Sequence, residues 1–426
     1  MNILFISVVA CQRIIEKKES LKKVMSSFEA QYNFSIAQKV RIHKLLQGVL
    51  RNFVSLRYEV IKEIENVHPR EKKLYLFICT LYSIRYQSTE IDLDSLKDEF
   101  DQVILDNKLN VESAIIFNKL MNMGQKNFVV PEAEKEDPVK YNSLFFSTPE
   151  WIIRLWLKQF GPSITAKLLV SNKQPAKIYI KRNELKISSS HFNEKTHFQP
   201  VKNFDNAYAL NKNQKFDEMN EVKLGNCFKE DLSYQEILNN LPLATGDSAL
   251  LIDGNRFEMA ADLAIRLSGC NGDLTLNIEN EIKFRQTKYK FDKLGVRNQK
   301  IYLADIDLLR TYIEYNSFDI VVAMPPSSRL GLVKRKAEIL ASTTKQDYRK
   351  LKYQQLSYLE EAKKYVNKDG IFAYVVETIN KREGENIVEL FLNKYPEYEI
   401  VTSRQIMPYE KNNNGVYYAL LRRKYE

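Results

Sequence analysis

A cysteine thiolate is the best nucleophile that a side chain offers near neutral pH, and it is also a metal ligand. Cys11, Cys79, Cys227 and Cys270 stand far apart and form no Cys-x-x-Cys pair, and the four histidines (His43, His68, His191, His197) are equally scattered. Neither set has the clustering that a zinc site needs, so no metal is expected. No histidine follows residue 197, so a serine nucleophile beyond that point would have no histidine base from the same region. The other chemistry on offer is cationic. Arg329, Lys334, Arg335, Lys336, Lys345, Arg349, Lys350 and Lys352 face only Glu338 and Asp347, eight charges against two, a local +6. Such a run is either a solvated helix face or a phosphate-binding stripe. Arg154, Lys181, Asn183 and Lys186 would extend it. Trp151 and Trp156 suit either base stacking or domain packing.

These residues must be placed by a chain of 426 residues, long enough for two or three domains. Its 64 Lys+Arg exceed its 54 Asp+Glu, a net +10 that favours an anionic partner, nucleic acid first. Apolar residues make up 44%, which excludes a disordered chain, and 13 glycines are few for an α/β enzyme with ligand loops. No apolar run is long enough to span a bilayer. Val8-Val9-Ala10-Cys11 has the look of a lipoprotein cleavage box, but no Lys or Arg precedes it, so Ile3 to Ile15 reads as an amphipathic helix. Isolated cysteines and the missing signal point to a cytoplasmic protein.

Helical spacing of Ile42, Leu45, Leu46, Val49, Leu50 and Val54, and of Leu74 to Ile84, predicts an all-α bundle over 1–130. A polar stretch at 131–143 reads as a linker. Thr148-Pro149-Glu150 starts a further helix, and Gly161-Pro162 stops it. Residues 144–235 form a small α+β connector with a strand near Ile178 to Leu185. From 236 to 426, apolar strands at Ala249–Ile252, Leu274–Ile278, Ile301–Leu303, Ile320–Ala323 and Ile371–Val376 alternate with helices at Glu258–Leu267, Glu281–Leu294 and Tyr348–Val366. That alternation predicts a mostly parallel sheet covered by helices on both faces. Cys270, in Ser268-Gly269-Cys270-Asn271-Gly272, precedes a strand and so lies at the end of the sheet away from ligands.

Several fragments in order carry a resemblance. Lys44-Leu45-Leu46-Gln47-Gly48-Val49-Leu50-Arg51, Ser147-Thr148-Pro149-Glu150-Trp151, Lys181-Arg182-Asn183-Glu184-Leu185-Lys186, Phe318-Asp319 before Pro326-Ser327-Ser328-Arg329-Leu330-Gly331, and Tyr374-Val375-Val376-Glu377-Thr378-Ile379 with Glu383, Glu385 and Asn386 resemble the Sun/Nop family of RNA cytosine-5 methyltransferases. The closest likeness is to its bacterial 16S rRNA members with a NusB-like N-terminal domain. The resemblance implies a multidomain protein: an all-α NusB-like bundle, a small α+β connector and a Rossmann-like α/β class I methyltransferase domain.

In that family a Cys in T-C-T adds to carbon 6 of cytosine, carbon 5 then attacks the methyl of S-adenosylmethionine, and a Cys in P-C-S assists elimination. The resemblance places Glu377 at the first position, Ser327 at the second, and Met324 at the acid before it. The glycine-rich cofactor loop becomes Asp253-Gly254-Asn255-Arg256-Phe257-Glu258-Met259, in which Phe257 and Met259 are expected to fill cofactor space and Gly254 alone could serve as a cofactor glycine. Asn277 stands for the ribose-binding acid. Asp305 stands for the acid near adenine, or is a turn cap. Met324-Pro325-Pro326-Ser327 is similar to the N/D-P-P-Y/F loop of amino-group methyltransferases, but Met324 cannot accept the amine hydrogen and Ser327 cannot stack a base.

Three functions follow as expectations. The first is a catalytically degenerate RNA-binding homologue, with rRNA as partner, no cofactor, and Arg329, Lys334, Arg335, Lys336, Lys181, Asn183 and Lys186 on the RNA. The second is an active, divergent rRNA cytosine-5 methyltransferase using S-adenosylmethionine. The third is a docking factor for a ribosome-assembly protein.

Overall fold

The computed structural model describes residues 2–194, 197–211, 214–252 and 256–424. The chain divides into two compact units, one of residues 1–173 with 335–345, the other of 174–334 with 346–426.

The first unit is helical. Its helices Ile3–Glu16, Ile36–Arg51 and Phe53–Glu63 surround Lys72–Gln87. That central helix buries residues on every side, from Leu74 through Leu81 to Ile84, as expected of a helix without a polar stripe. Cys11 is buried in the first helix, 3.8 Å from the sulfur of Cys79, so this segment is core rather than a processing site. The helix begun at Glu150 breaks at Gly161, whose φ of 76° is left-handed, and Pro162 opens the next stretch to Lys173. The expected boundaries differ here: residues 131–173 fall with the helical unit instead of forming a linker and the start of a connector. So do 335–345, where Ala337 enters the helical core.

The second unit holds two sheets. Strands β1 (Tyr179–Arg182), β2 (Phe198–Pro200), β3 (Ala207–Leu210) and β4 (Cys227–Lys229) form a small antiparallel sheet in the order β2-β3-β1-β4. Strands β5 (Ser248–Ile252), β6 (Asp273–Asn277), β7 (Gln299–Tyr302), β8 (Phe318–Ala323), β9 (Val366–Val376), β10 (Tyr398–Ile406) and β11 (Val416–Arg423) form the larger one, in the order β10-β11-β9-β8-β5-β6-β7. β5 to β9 pair in parallel, while β11 and β10 close the far edge antiparallel. Apolar residues cover both faces of the sheet, with Leu251, Leu276 and Phe291 on one and Leu250, Phe372 and Phe391 on the other. The Rossmann-like α/β arrangement implied by the sequence is therefore present.

Candidate functional site

Ligands of a doubly wound sheet bind outside the carboxyl ends of the strands, where the strand order reverses. Here the order reverses at β5, between β6 and β8. Arg256 follows β5 and precedes helix Phe257–Gly269, residues 324–331 follow β8, and Glu377 follows β9. These segments meet. Arg256 donates from Nε to Glu377 Oε1 at 3.0 Å and from Nη2 to Oε2 at 2.7 Å. The phenol of Tyr234, from helix Leu232–Asn239, donates to the same Oε1. Glu377 is only 4% exposed, so a lone carboxylate there would be costly, and the bidentate guanidinium offsets that cost. Burial, and then the carboxylate beside it, hold the Tyr234 phenol well above its ordinary range, which keeps it a proton donor.

A second carboxylate ties the neighbouring loops together. Glu383 accepts from the Ser328 backbone N–H at 2.8 Å, and from Thr378 Oγ1 and Asn380 Nδ2 at 3.0 Å each. Ser328 and Thr378 share a hydroxyl hydrogen bond of 3.0 Å. The Gly331 N–H approaches the Glu377 carbonyl at 3.4 Å, and Gly415 N–H donates to the Gly331 carbonyl at 2.8 Å. A β-carbon on Gly331 would stand 1.7 Å from the Gly415 oxygen, so only glycine allows this approach.

Residues 263–422 match the family model described as 16S rRNA methyltransferase RsmB/F. The chain is 21% identical to the probable ribosomal RNA small subunit methyltransferase B of Bacillus subtilis, over 89% of this chain and 84% of that one. It is 20% identical to the ribosomal RNA small subunit methyltransferase B of Yersinia pseudotuberculosis, over 99% of both. Among solved structures, PH0851 superposes with a TM-score of 0.77 at 16% identity, covering 99% of this chain and 98% of its own. A methyltransferase homologue from Pyrococcus horikoshii covers 69% of this chain and all of its own, with a TM-score of 0.59 and 16% identity. Over residues 263–422 the chain is similar to this family of rRNA methyltransferases, and over nearly its whole length it shares their fold. The family's fold is thus in place, and the question becomes what its catalytic positions hold.

Glu377, to which the resemblance assigns the nucleophile's position, is an ion-paired carboxylate and not a thiol. Ser327 is half-buried, and its hydroxyl accepts from the Arg329 N–H at 3.3 Å in a local turn. Met324 is buried in the core beneath the sheet ends. The remaining thiols stand elsewhere. Burial pushes Cys227 up to about 12, and half-buried Cys270 donates to its own helix at Arg266 and Leu267. Among the described residues, no three His, Cys, Asp or Glu side chains are placed to hold a metal.

The family's S-adenosylmethionine finds a poor donor set. Gly254 lies outside the described residues. Asn277 is buried and donates to the Ala304 carbonyl at 3.1 Å. Asp305 is exposed and accepts from the Leu308 N–H at 3.0 Å, capping the turn at Ile306–Thr311. Phe257 and Met259 do not crowd the cleft as expected. They turn into the core, where Phe257 meets Phe291 at 5.3 Å, because the first turn of their helix is an apolar packing face. The group that stands at the strand ends is Arg256, a cation held against Glu377. A guanidinium is a poor neighbour for a sulfonium, and an amide lacks the charge that grips ribose hydroxyls. Among the described residues, Asn277 and Asp305, which the resemblance assigns to the cofactor, are both engaged within the protein, and no catalytic step is derived through it.

The expected RNA track also changes. Lys181 is 2% exposed, and its ammonium lies 3.5 Å from buried Asp262. Asn183 is fully buried and donates to the carbonyls of Gly225 and Leu294 at 2.8 Å each. Lys334 is buried and donates to Pro408 O at 2.7 Å and Asn412 Oδ1 at 2.6 Å. A lysine committed to carbonyls and carboxylates inside the fold cannot reach a surface phosphate, so these three leave the track. Arg329, Arg335 and Lys336 are half-buried, and the last two fall in the helical unit, which divides the basic run. Lys186, Lys345, Arg349, Lys350 and Lys352 are exposed. Arg154 is exposed but pairs with Asp137 and Glu150. Trp156 is fully buried, a packing anchor, whereas Trp151 is half-buried.

Sequence reasoning missed Arg256 and Tyr234. Arg256 could have been found, since a new acid at the nucleophile's position calls for a new cation nearby. Tyr234 carried no signal, because its helix meets β9 only in three dimensions.

Proposed function

We propose that this protein is an RNA-binding homologue of the rRNA cytosine-5 methyltransferases that has lost methyl transfer. The observation that carries this reading is the Arg256–Glu377 pair, which joins the cofactor-loop position to the nucleophile position through two charge-assisted hydrogen bonds. A carboxylate so held cannot add to a pyrimidine carbon. The cofactor is accordingly absent from its function. The partner is rRNA, as the names of its relatives suggest. The helical unit acts as a NusB-like RNA-binding domain, and Arg329, Arg335, Lys336, Lys345, Arg349, Lys350, Lys352 and Lys186 contact phosphates. The protein works in the cytoplasm, and among the described residues no helix is long and apolar enough to cross a membrane.

The near full-length likeness to methyltransferases favours the second reading, an active divergent enzyme. Two measurements separate them. Filter binding of the purified full chain to 16S rRNA fragments should show affinity falling steeply with salt. Bisulfite sequencing of rRNA from a deletion strain should match the parent. Absence of RNA binding would overturn the proposal, and loss of a methylcytosine in the deletion strain would favour the active enzyme.

A further inference from the structure

The segment 329–352 accounts for +6 of the chain's +10. Residues 281–300 hold Lys283, Arg285, Lys288, Lys290, Lys293, Arg297 and Lys300 against Glu281 and Asp292, seven against two, a further +5. The rest of the chain is therefore close to neutral, at 10 − 6 − 5 = −1. A second concentration of charge lies on a different face of the sheet domain, on the helix Glu281–Leu294.

That helix packs through Thr287, Phe291 and Leu294. Its charges sort by flank. At 100° per residue, Glu281, Arg285, Lys288 and Asp292 fall on one side of the exposed face, where Arg285 pairs with Glu281 and Arg297 with Asp292. Lys283, Lys290 and Lys293 fall on the other side, with only Gln286 among them. They extend over ten residues, about 15 Å of helix. The line then passes to another element. Lys186 is exposed and donates to the Leu224 carbonyl at 2.9 Å, and its stem lies against Gly295, the left-handed cap of the same helix. Buried Asn183 fixes this junction through its bond to the Leu294 carbonyl. Glu221 stands nearby, since it and Lys293 act in opposite senses on the Cys227 thiol, but four cations outnumber it.

Lys293 suits the C-terminal end of the helix dipole, but Lys283 sits in the first turn, where positive charge is unfavourable. In the middle of the stripe, Lys290 lies 4.7 Å over the ring of Phe257, the residue after Arg256. Tyr289, 70% exposed, stands beside the lysines as an aromatic face for a base.

We propose that Lys283, Lys290, Lys293 and Lys186 form a second phosphate-binding edge that carries an RNA strand across the outer face of the sheet domain. This inference rests on the RNA-binding reading above. A broad apolar face would be needed for a membrane surface, and the stripe offers only Ile282 and Tyr289 as large exposed apolar groups.

The test uses the full chain, wild type and with Lys283→Ala, Lys290→Ala and Lys293→Ala combined, and a control with Lys288→Ala on the opposite flank. Binding to single-stranded 16S rRNA fragments is measured from 50 to 300 mM salt. The triple variant should lower the log–log salt slope by about 2, since each single-strand phosphate contact contributes roughly 0.7, and weaken affinity by tens of fold near 150 mM. The control should shift the slope by less than about 0.5. Circular dichroism should match wild type and the urea midpoint should shift only modestly, because Lys283 and Lys290 are exposed and Lys293 is half-buried. An unchanged slope and affinity, with wild type still binding RNA, would overturn this edge and leave the RNA-binding reading intact. Failure of wild type to bind would overturn both. Loss of binding to phosphatidylserine vesicles with RNA binding unchanged would replace RNA by a membrane.

Discussion

Arg256 holds both carboxylate oxygens of Glu377, at 3.0 and 2.7 Å, across the strand ends where ligands of such a sheet bind. The pair is mostly out of solvent, so its disruption strands a buried charge. Glu377→Ala should destabilise the fold by about 2–3 kcal/mol, near the lower end for a broken buried pair because Arg256 keeps some solvent. Arg256→Met combined with Glu377→Leu should recover most of that loss. Urea denaturation of the three variants measures both effects, and a double variant no better than the single would show that the pair is not the source of the stability.

Restoring the family's thiol alone should not restore its reaction. Glu377→Cys leaves Arg256, the amide of Asn277 and the core-facing Met324 unchanged. Methyl transfer to rRNA fragments by this variant should stay at background in a tritiated-methyl assay. Turnover would show that the cofactor positions are intact.

A buried acid cluster predicts an unusual pH response. Glu230 is 2% exposed and lies against the buried carboxylate of Asp262. Burial, and then the charge of Asp262, raise it well above the usual carboxyl range, despite Lys181. The folded protein thus keeps a proton that the unfolded chain releases above about pH 4.3. Stability from this group is full below that pH and is lost as pH rises towards the folded value. Glu230→Gln should therefore flatten the decline and raise the melting temperature at pH 8, with little change at pH 4. A lower melting temperature at pH 8 would contradict this.

Gly331 is the position where a methyl group cannot fit. Gly331→Ala places a β-carbon against the Gly415 carbonyl and must separate two loops at the strand ends, at a cost of roughly 2–4 kcal/mol. Thermal unfolding measures it, and a shift within experimental scatter would show that the loops move apart freely.

Five strands of the larger sheet and their mostly parallel pairing were legible because buried parallel strands read as short apolar runs between helical patterns. β10 and β11 were not: the β10 residues from Glu399 to Val401 all face solvent and lack two-residue alternation, while β11 is buried along most of its length and reads as a continuous apolar run that no helical pattern frames. The positions assigned to the family's motifs rest on motif order alone. Their new partners were not legible, since Arg256 and Tyr234 stand far from Glu377 in sequence. Lys181, Asn183 and Lys334 misled for one physical reason: each looks like a surface cation or amide, yet each satisfies buried oxygens, which sequence spacing does not reveal. The lysines of helix Glu281–Leu294 were overlooked because two acids among them dilute the run, and only the helix face separates the charges.

If the Arg256–Glu377 pair stands in place of the family's cofactor and nucleophile, the protein should not bind S-adenosylmethionine. Isothermal titration of the full chain with S-adenosylmethionine tests it most directly. The account predicts no saturable heat up to about millimolar ligand, whereas a micromolar dissociation constant would contradict it.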